Sequence, residues 1–362
     1  MKKAGFVIHP THSEPEHIRE TLARRFSVIG KLPPGLVKHL FPLIPIKKLR
    51  CGQSDPIISP TGASCTMTFW GVPYAPDQMV ALQPVDRVIE AAKLLRREGC
   101  DNIGLGAYTS IVGHGGKEVA EALEHGVTTG NSLTAATGVE GLLAAATKVG
   151  YDVQDHGLKA LVIGAGGSIG RVCAHLLKEH MGGEILLAGR DRTPLEKVAK
   201  EIGPRAQILQ LNQAITQADL IVTVTSATGE LDINPSLFKS GAVVLDIARP
   251  RDIGETVRKS RTDILVIDGA ILSTPNNANM GFDFGFPEGT VYACMAETLV
   301  LTLEDVKDNY SIGRDLDLIK VRHIAELAKK HGFKLCDWRG SDEVIPKSKF
   351  DQIRQIVANG RK

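Results

Sequence analysis

The chain has 362 residues, of which 43% are hydrophobic and 23% charged, and this composition is typical of one large domain or two ordinary ones. Its 43 Lys and Arg residues almost balance its 41 Asp and Glu residues, so the net charge of +2 gives no support to a nucleic-acid partner. Six scattered cysteines, no signal peptide and no apolar run of about 20 residues predict a cytoplasmic protein with reduced thiols.

The first third of the sequence has the least regular pattern. We expect an edge strand at 5–9, a helix over 14–26 and short strands at 57–59 and 65–70. Residues 32–46 are rich in proline and apolar residues, and Lys47, Lys48 and Arg50 follow them. We interpret this segment as an ordered loop. The alternatives are a mobile lid, or a patch that meets a membrane surface or an acidic carrier protein.

Amphipathic spacing predicts a helix over residues 85–98, with apolar side chains along one face. Residues 102–111 are interpreted as a strand that runs into a turn of small residues. The polar residues 128–134 open a long helix that runs to about Val149 and that Asn131 or Ser132 caps. A domain boundary is placed near residue 152.

A glycine-rich turn lies between an apolar run at 160–163 and a helical pattern over 171–180. A buried strand, a tight turn and a helix opening form the geometry that binds a dinucleotide pyrophosphate, since backbone amides and the helix dipole face the phosphates. The spacing is Gly-x-x-Gly-x-x-Gly or Gly-x-Gly-x-x-x-Gly, which differs from the strict dinucleotide fingerprint. The candidate cofactor-binding residues of this turn are Gly164, Gly166, Gly167, Ser168, Ile169 and Gly170.

Two arginines follow the next predicted strand, residues 184–188. At this place an acidic residue would hold the ribose 2′-hydroxyl of NAD, and an arginine accommodates the 2′-phosphate of NADP. Arg190 occupies the decisive position and Arg192 lies beside it, so we predict NADPH as the cofactor. The alternative is two solvated arginines ahead of a helix.

Regular alternation of strands and helices predicts an α/β fold with a Rossmann-like, doubly wound parallel sheet, accompanied by a second α/β substrate domain. The predicted strands are 160–163, 184–188, 207–210, 220–224, 242–246 and 264–267. Ligands of such sheets lie at the carboxyl ends of strands, which here are followed by residues 225–229, 246–250 and 268–270. Ser226 and Ala248 are candidate cofactor contacts, and simple turns are an equally good interpretation.

The chemistry is predicted near residues 287–297. Thr290 is the expected N-cap of a helix that reaches about Asp305, which puts Cys294 in its first turns. A thiol at a helix N-terminus has its thiolate favoured by the dipole and becomes nucleophilic. The alternative role of a cysteine here is that of a small buried hydrophobic residue.

The run Tyr292-Ala-Cys-Met-Ala-Glu-Thr-Leu299 resembles the active-cysteine segment of the cyanobacterial long-chain acyl-[acyl-carrier-protein] reductases, which form fatty aldehydes. Further segments from about residue 55 to 333 resemble the same family, and 30–55 and the last ~30 residues do not. The resembling segments are 106–111, 128–135, 162–170, 268–270 and 311–314.

This resemblance implies a concrete reaction. Cys294 takes the acyl group from acyl carrier protein or coenzyme A, and NADPH reduces the resulting enzyme thioester to an aldehyde. Gly164, Gly167 and Gly170 match the cofactor turn of the family, and Arg190 lies where the family also has an arginine.

The developing charge on the carbonyl oxygen needs hydrogen-bond donors. Ser110 and Asn131 are assigned with Cys294 to the catalytic group, and Thr109 and the helix amides around Cys294 are further candidates. Glu297 tunes the thiol or caps a neighbouring N–H. His9 and His114 lie near segments that resemble the family, and a lone histidine is more often structural. No cluster has metal-ligand spacing.

The expected organisation is a first part of the substrate domain at 1–152, an NADP-binding domain at 153–288, and a helical return with a C-terminal tail at 289–362. Peripheral membrane contact and homo-oligomer formation stay open. The alternative functions are a shikimate-dehydrogenase-like enzyme with a Lys–Asp pair, a glutamyl-tRNA-reductase-like enzyme with its cysteine in the N-terminal domain, and a non-catalytic NADP sensor.

Overall fold

The computed structural model describes residues 1–10, 13–23, 27–227, 229–248, 250–269, 271–285, 287–341 and 343–360. These residues form two compact units, each built from three stretches of chain. The first unit contains Met1–Gly130, Leu272–Gly313 and Glu326–Lys334. The second contains Asn131–Ile271, Arg314–Ala325 and Leu335–Lys362.

The first unit begins with a mainly parallel sheet. Its strands are β1 (Lys2–Ile8), β2 (Arg50–Gln53), β3 (Ile57–Ile58), β4 (Ser64–Gly71), β5 (Asn102–Leu105) and β6 (Val127–Thr128). Its helices are α1 (Pro15–Ala23), α2 (Pro34–Leu40), α3 (Pro76–Leu82), α4 (Val85–Arg97) and α5 (Val112–Leu123). The predicted strands at 57–59 and 65–70 and the helix at 85–98 are confirmed to within a few residues. A strand is also present where an edge strand was predicted, at 5–9, but the edge position is wrong, because β1 pairs with β4 on one side and β5 on the other. The helix expected over 14–26 is α1, although residues 24–26 lie outside the described ranges.

The strand order of this sheet is β2-β4-β1-β5-β6, with β3 paired to β4. Strands β4, β1, β5 and β6 run parallel, so their carboxyl ends lie at one edge. Almost every residue of β4 is buried, because both faces of a parallel sheet are covered. Gly5 of β1 leaves room for Leu95 of α4, whose side-chain atoms would lie 3.0 Å from a Cβ at that position.

The proline-rich segment 32–46 is folded, as the ordered-loop interpretation expected, and it is more helical than that interpretation. It contains α2 and two 3₁₀ turns at Phe41–Leu43 and Ile46–Lys48. Val37 and Phe41 are buried with Ile18 and Leu22 of α1, so this segment packs into a small core of its own.

The second unit contains the predicted doubly wound sheet. Its strands are β7 (Lys159–Ile163), β8 (Glu184–Ala188), β9 (Ala206–Ile208), β10 (Leu220–Thr223), β11 (Val243–Asp246) and β12 (Leu265–Asp268). Its helices are α6 (Asn131–Lys148), α7 (Ser168–His180), α8 (Arg192–Ile202), α9 (Leu211–Ile215) and α10 (Glu255–Ser260). The order β12-β11-β10-β7-β8-β9 is that of a Rossmann fold, and each strand runs parallel to its neighbours. All six predicted strands are confirmed within one or two residues.

After the second sheet the chain adds further strands and helices. They are β13 (Ile271–Ser273), β14 (Thr290–Tyr292), α11 (Ala293–Leu303), α12 (Leu318–Lys330), β15 (Lys334–Leu335), β16 (Arg339–Gly340), β17 (Glu343–Val344) and α13 (Lys347–Gly360). None of the helices in the described ranges is long and apolar enough to cross a bilayer.

The last helix belongs by packing to the second unit. Phe350 and Ile353 of α13 are buried in the core that also contains the helices α6 and α7. Trp338 donates its indole N–H to Gly141 O at 3.0 Å, and Lys148 lies over the rings of Trp338 and Phe350. Helix α6 also groups with this unit. The predicted domain limits at 152 and 288 stay a prediction.

Candidate active site

Cys294 is the second residue of α11, a helix that is otherwise almost wholly buried. Tyr292 has the extended backbone of an N-cap, with φ −64° and ψ 149°. The prediction that Thr290 caps this helix is wrong, because Thr290 belongs to β14 and its hydroxyl donates to Pro287 O at 2.6 Å. Cys294 is partly exposed and lies in the first turn of α11, as the sequence predicted.

The turn after β6 packs directly on Cys294. Gly130 has φ +73°, and a Cβ at this position would lie 2.3 Å from both Cα and Cβ of Cys294. Only glycine satisfies both the left-handed backbone and this close approach. The polar cluster at 128–131 therefore includes the backbone surface against which the cysteine is held.

Glu297, one turn beyond Cys294, is fully buried and ties α11 to two other segments. Thr128 of β6 and Ser311 donate their hydroxyls to Glu297 Oε1 at 2.5 and 2.6 Å. Thr128 Oγ1 also accepts the N–H of Gly130 at 3.1 Å. The hydrogen bonds thus run from the buried carboxylate to the turn that contacts Cys294. Sequence patterns did not indicate this cluster, because its residues are separated by up to 183 positions.

The thiol of Cys294 is neutral, that is protonated, in this structure. Burial raises its pKa to about 12, the charge of Glu297 raises it further, and the N–H of Met295 lowers it. The predicted effect of the helix dipole, which favours the thiolate, is therefore smaller than the effect of desolvation, which favours the neutral thiol. Any attack by this sulfur would therefore require the loss of its proton.

Other predicted residues lie at the same carboxyl edge of the first sheet. His9 follows β1, and its Nε2 accepts the N–H of Tyr108 at 2.9 Å while Nδ1 donates to Pro10 O at 2.6 Å. Burial lowers the pKa of His9 to about 4, so the ring is neutral and shapes the turn after β5. Within that turn Thr109 and Ser110 donate their hydroxyls to the carbonyls of Gly106 and Ala107 at 2.7 and 2.6 Å.

Asn131 and His114 have less specific surroundings. Asn131 is the first residue of α6 and follows Gly130 in the chain. His114 is largely exposed, with Nε2 at 3.6 Å from Glu118, inside a left-handed turn of four residues at the start of α5. Within the described ranges, no group of three His, Cys, Asp or Glu side chains could hold a metal ion.

In the second unit the glycine turn packs closely between β7 and α7. Gly164 has φ +88°, and a Cβ there would lie 2.6 Å from Val224 O. A Cβ on Gly170 would lie 2.2 Å from Gly164 O, so this glycine allows the close packing of α7 on the turn. Gly166 and Gly167 are exposed, and the first amides of α7, from Ser168 and Ile169, have no intrahelical acceptor.

The two predicted arginines are exposed beyond the end of β8. Arg190 lies between Ala188 and the N-cap Asp191, and Arg192 opens α8 with its Nε at 2.8 Å from Glu196. The position of Arg190 fits the 2′-phosphate of NADP. These residues and the turn are suited to hold a dinucleotide.

The other strand ends are organised by buried carboxylates. Asp252 accepts the N–H and the hydroxyl of Thr225 at 2.9 and 2.5 Å, next to the exposed Ser226. Asp246, ahead of the buried Ala248, pairs with Arg258 at 3.1 Å. Asp252 and Arg258 were not predicted from the sequence, since neither belongs to a motif. The predicted turns 225–229, 246–250 and 268–270 include positions 228, 249 and 270, which lie outside the described residues.

Comparison with known proteins agrees with this organisation. Residues 145–268 match the family model described as shikimate / quinate 5-dehydrogenase. Over 98% of its length the chain is 31% identical to the aminotransferase PigE of Serratia sp., of which it spans 42%. It is 30% identical to the long-chain acyl-[acyl-carrier-protein] reductase of Synechococcus elongatus, over 68% of this chain and 75% of that protein.

The chain belongs to the family of this reductase. A glutamyl-tRNA reductase of Methanothermobacter marburgensis is 36% identical over 118 residues, 30% of this chain and 29% of that protein. By these matches the chain resembles NAD(P)-dependent oxidoreductases of the shikimate dehydrogenase and glutamyl-tRNA reductase type.

Replacing Gly130 by alanine tests the contact with Cys294. Gly130→Ala adds a methyl group that overlaps Cys294 and strains a left-handed backbone, and we expect it to lower the free energy of unfolding by about 2–4 kcal/mol. Gly62→Ala is the matched control, because Gly62 has φ +86° with nothing within 4 Å of the added Cβ. Chemical denaturation measures both variants, and equal losses would contradict the contact.

The raised pKa of Cys294 predicts its pH dependence. A thiol with a pKa of about 12 is protonated at neutral pH, so its alkylation rate should rise about tenfold per pH unit from pH 7 to 10 without a plateau. Peptide mapping by mass spectrometry after timed iodoacetamide treatment follows this residue alone. The partly exposed Cys51 gives the internal comparison, and a rate for Cys294 that levels off near pH 7 would contradict the desolvated thiol.

Proposed function

We propose that the chain reduces a fatty acyl thioester, carried on acyl carrier protein or coenzyme A, to a fatty aldehyde with NADPH. The observation that carries this proposal is the partly exposed Cys294 in the first turn of α11, in a chain that belongs to the acyl-[acyl-carrier-protein] reductase family. The reaction is placed in the cytoplasm, where thiols stay reduced.

In the first step the sulfur of Cys294 attacks the thioester carbonyl. A new bond forms between this sulfur and the acyl carbon, the bond between the acyl carbon and the carrier sulfur breaks, and the thiol proton passes to the departing carrier sulfur. Because the free thiol has a raised pKa, we expect this proton to leave as the attack proceeds rather than beforehand. The amide of Met295 already lowers the pKa of Cys294 and favours the sulfur as its charge develops.

Bound NADPH would supply the hydride that reduces the carbonyl of the enzyme thioester. The turn from Gly164 to Gly170 would hold its pyrophosphate, Arg190 and Arg192 its 2′-phosphate, and Ser226 and Ala248 are proposed to contact the nicotinamide half. Return of the electron pair of the carbon–sulfur bond to Cys294, with uptake of a proton, releases the aldehyde.

The carbonyl oxygen needs donors during both steps. The hydroxyls of Thr109 and Ser110 already donate to backbone carbonyls, so each would have to rotate to donate to substrate. The first amides of α11 are better placed than these hydroxyls to donate to the carbonyl oxygen, because the N–H groups at the start of a helix have no intrahelical acceptors. Ser110 and Asn131 stay predicted members of the catalytic group.

An aldehyde product agrees with the name of the Serratia relative. That protein is an aminotransferase more than twice as long as its matching region, and aminotransferases act on carbonyl compounds. A reductase that delivers an aldehyde to amine formation would explain why a region like this chain occurs in such a protein. The match to glutamyl-tRNA reductase spans under a third of either chain and supports the cofactor rather than the substrate.

The thioester intermediate can be detected by intact mass. The full chain mixed with a long-chain acyl-CoA, and separately with acyl-acyl carrier protein, should gain one acyl mass and lose it on addition of NADPH as aldehyde appears. Cys294→Ala should show no gain, whereas Cys336→Ala, which removes another partly exposed cysteine, should behave as the unaltered chain. NADPH binding without any adduct from either donor would refute the acyl transfer.

Cofactor choice is tested at Arg190. Arg190→Glu should weaken NADPH binding about 10–100-fold through loss of charge-assisted hydrogen bonds to the 2′-phosphate, and leave NADH binding nearly unchanged. Fluorescence titration with both nucleotides measures this. Lys200→Glu, an exposed site of α8, should affect neither. An equal loss of NADPH and NADH would contradict the 2′-phosphate assignment.

A further inference from the structure

Residues 27–50, called here the basic segment, have an uneven charge distribution. The segment contains five Lys and Arg residues and no Asp or Glu, although the whole chain has 43 basic and 41 acidic residues. Two of its cations are used internally, since Lys38 pairs with Asp77 at 2.7 Å and Arg50 with Glu98 at 3.2 Å. Three lysines remain.

These three lysines are Lys31, Lys47 and Lys48. All are exposed, and they make no ion pair with any residue that the structure describes. The acidic side chains of the adjacent α1, Glu16 and Glu20, lie outside the segment, and Glu16 pairs with Arg19 of its own helix. The basic segment therefore presents uncompensated positive charge.

The same segment exposes a stripe of leucines. Leu36 and Leu40 lie one turn apart in α2, Leu43 lies in the 3₁₀ turn that follows, and 44%, 40% and 74% of their surfaces are exposed. Single exposed apolar residues are ordinary in proteins, but three within eight residues, near lysines without an ion pair, form a patch of the kind that marks interaction sites.

The stripe is held outward by the rest of the segment. Val37 of α2 and Phe41 and Ile46 of the following 3₁₀ turns are almost completely buried, so the segment cannot turn its leucines inward without exposing these side chains. Prolines at 33, 34, 42 and 45 fix the backbone on either side of α2. The leucines are thus preset as a protruding ridge.

We propose that the basic segment docks the protein on a membrane surface that contains anionic lipids. Leu36, Leu40 and Leu43 would enter the interface between headgroups and acyl chains, and Lys31, Lys47 and Lys48 would contact lipid phosphates. Membrane docking of this segment is independent of the reaction at Cys294, although a membrane is also the place into which a fatty aldehyde partitions.

A lipid surface fits this ridge better than an acidic protein does. Protruding leucines can enter a fluid interface in any register, whereas a protein partner must offer matching pockets and hydrogen-bond partners. The free cations are all lysines, which act as point charges, and arginines would be expected where a carboxylate is bound through two hydrogen bonds.

Vesicle co-sedimentation tests the docking. The full chain should sediment with vesicles of equal parts phosphatidylcholine and phosphatidylglycerol, bind pure phosphatidylcholine far more weakly, and be released from the anionic vesicles by 0.5 M salt. Replacing both Lys47 and Lys48 by Gln should weaken binding about 25-fold, at about fivefold for each charge. Leu43→Asp should abolish binding.

Ile319→Asp is the matched control, because Ile319 is 72% exposed in the other unit and its change should leave vesicle binding as it was. NADPH binding and the thermal midpoint should be the same in all variants. Absence of sedimentation, or equal sedimentation of the unaltered chain and Leu43→Asp, would overturn the proposal. The proposal would also be overturned if the chain bound purified acyl carrier protein instead of vesicles and Leu43→Asp abolished that binding.

Discussion

The close contact between the backbone of Gly130 and Cys294 is the constraint on which the first unit's site depends. A left-handed glycine at the carboxyl end of β6 lets the turn touch the first residues of α11. Glu297 then fixes the helix to the same turn through Thr128 and to a distant segment through Ser311. Cys294 is thus positioned by the backbone shape of Gly130 and by one buried carboxylate, that of Glu297.

The thiol of Cys294, held in this rigid surrounding, resists ionisation. Burial and the nearby negative charge of Glu297 oppose the helix amides, and burial prevails, as the raised pKa of Cys294 indicates. A protonated thiol is less open to oxidation than a thiolate, because thiolates are the form that oxidants attack.

The sequence allowed the second unit to be predicted more fully than the first. Its strands are buried apolar runs separated by turns, and Gly164 and Gly170 are required by local backbone contacts, so pattern and structure coincide. Thr290 failed as an N-cap because a short strand intervenes before the helix. The hydrogen-bonded cluster around Glu297 could not be predicted, because Thr128, Glu297 and Ser311 are far apart in the sequence and come together only in the fold. The helical turns of 32–46 depend on burial of Val37 and Phe41 against α1.

Each unit is assembled from three separate stretches, and this has a consequence for synthesis on the ribosome. The first unit needs residues up to 334, and the second needs α13, whose Phe350 and Ile353 complete its core. The Rossmann-like sheet can therefore form early, yet its apolar surface stays uncovered until the last helix has left the exit tunnel. During that interval the nascent chain is a natural client for chaperones that shield hydrophobic surface.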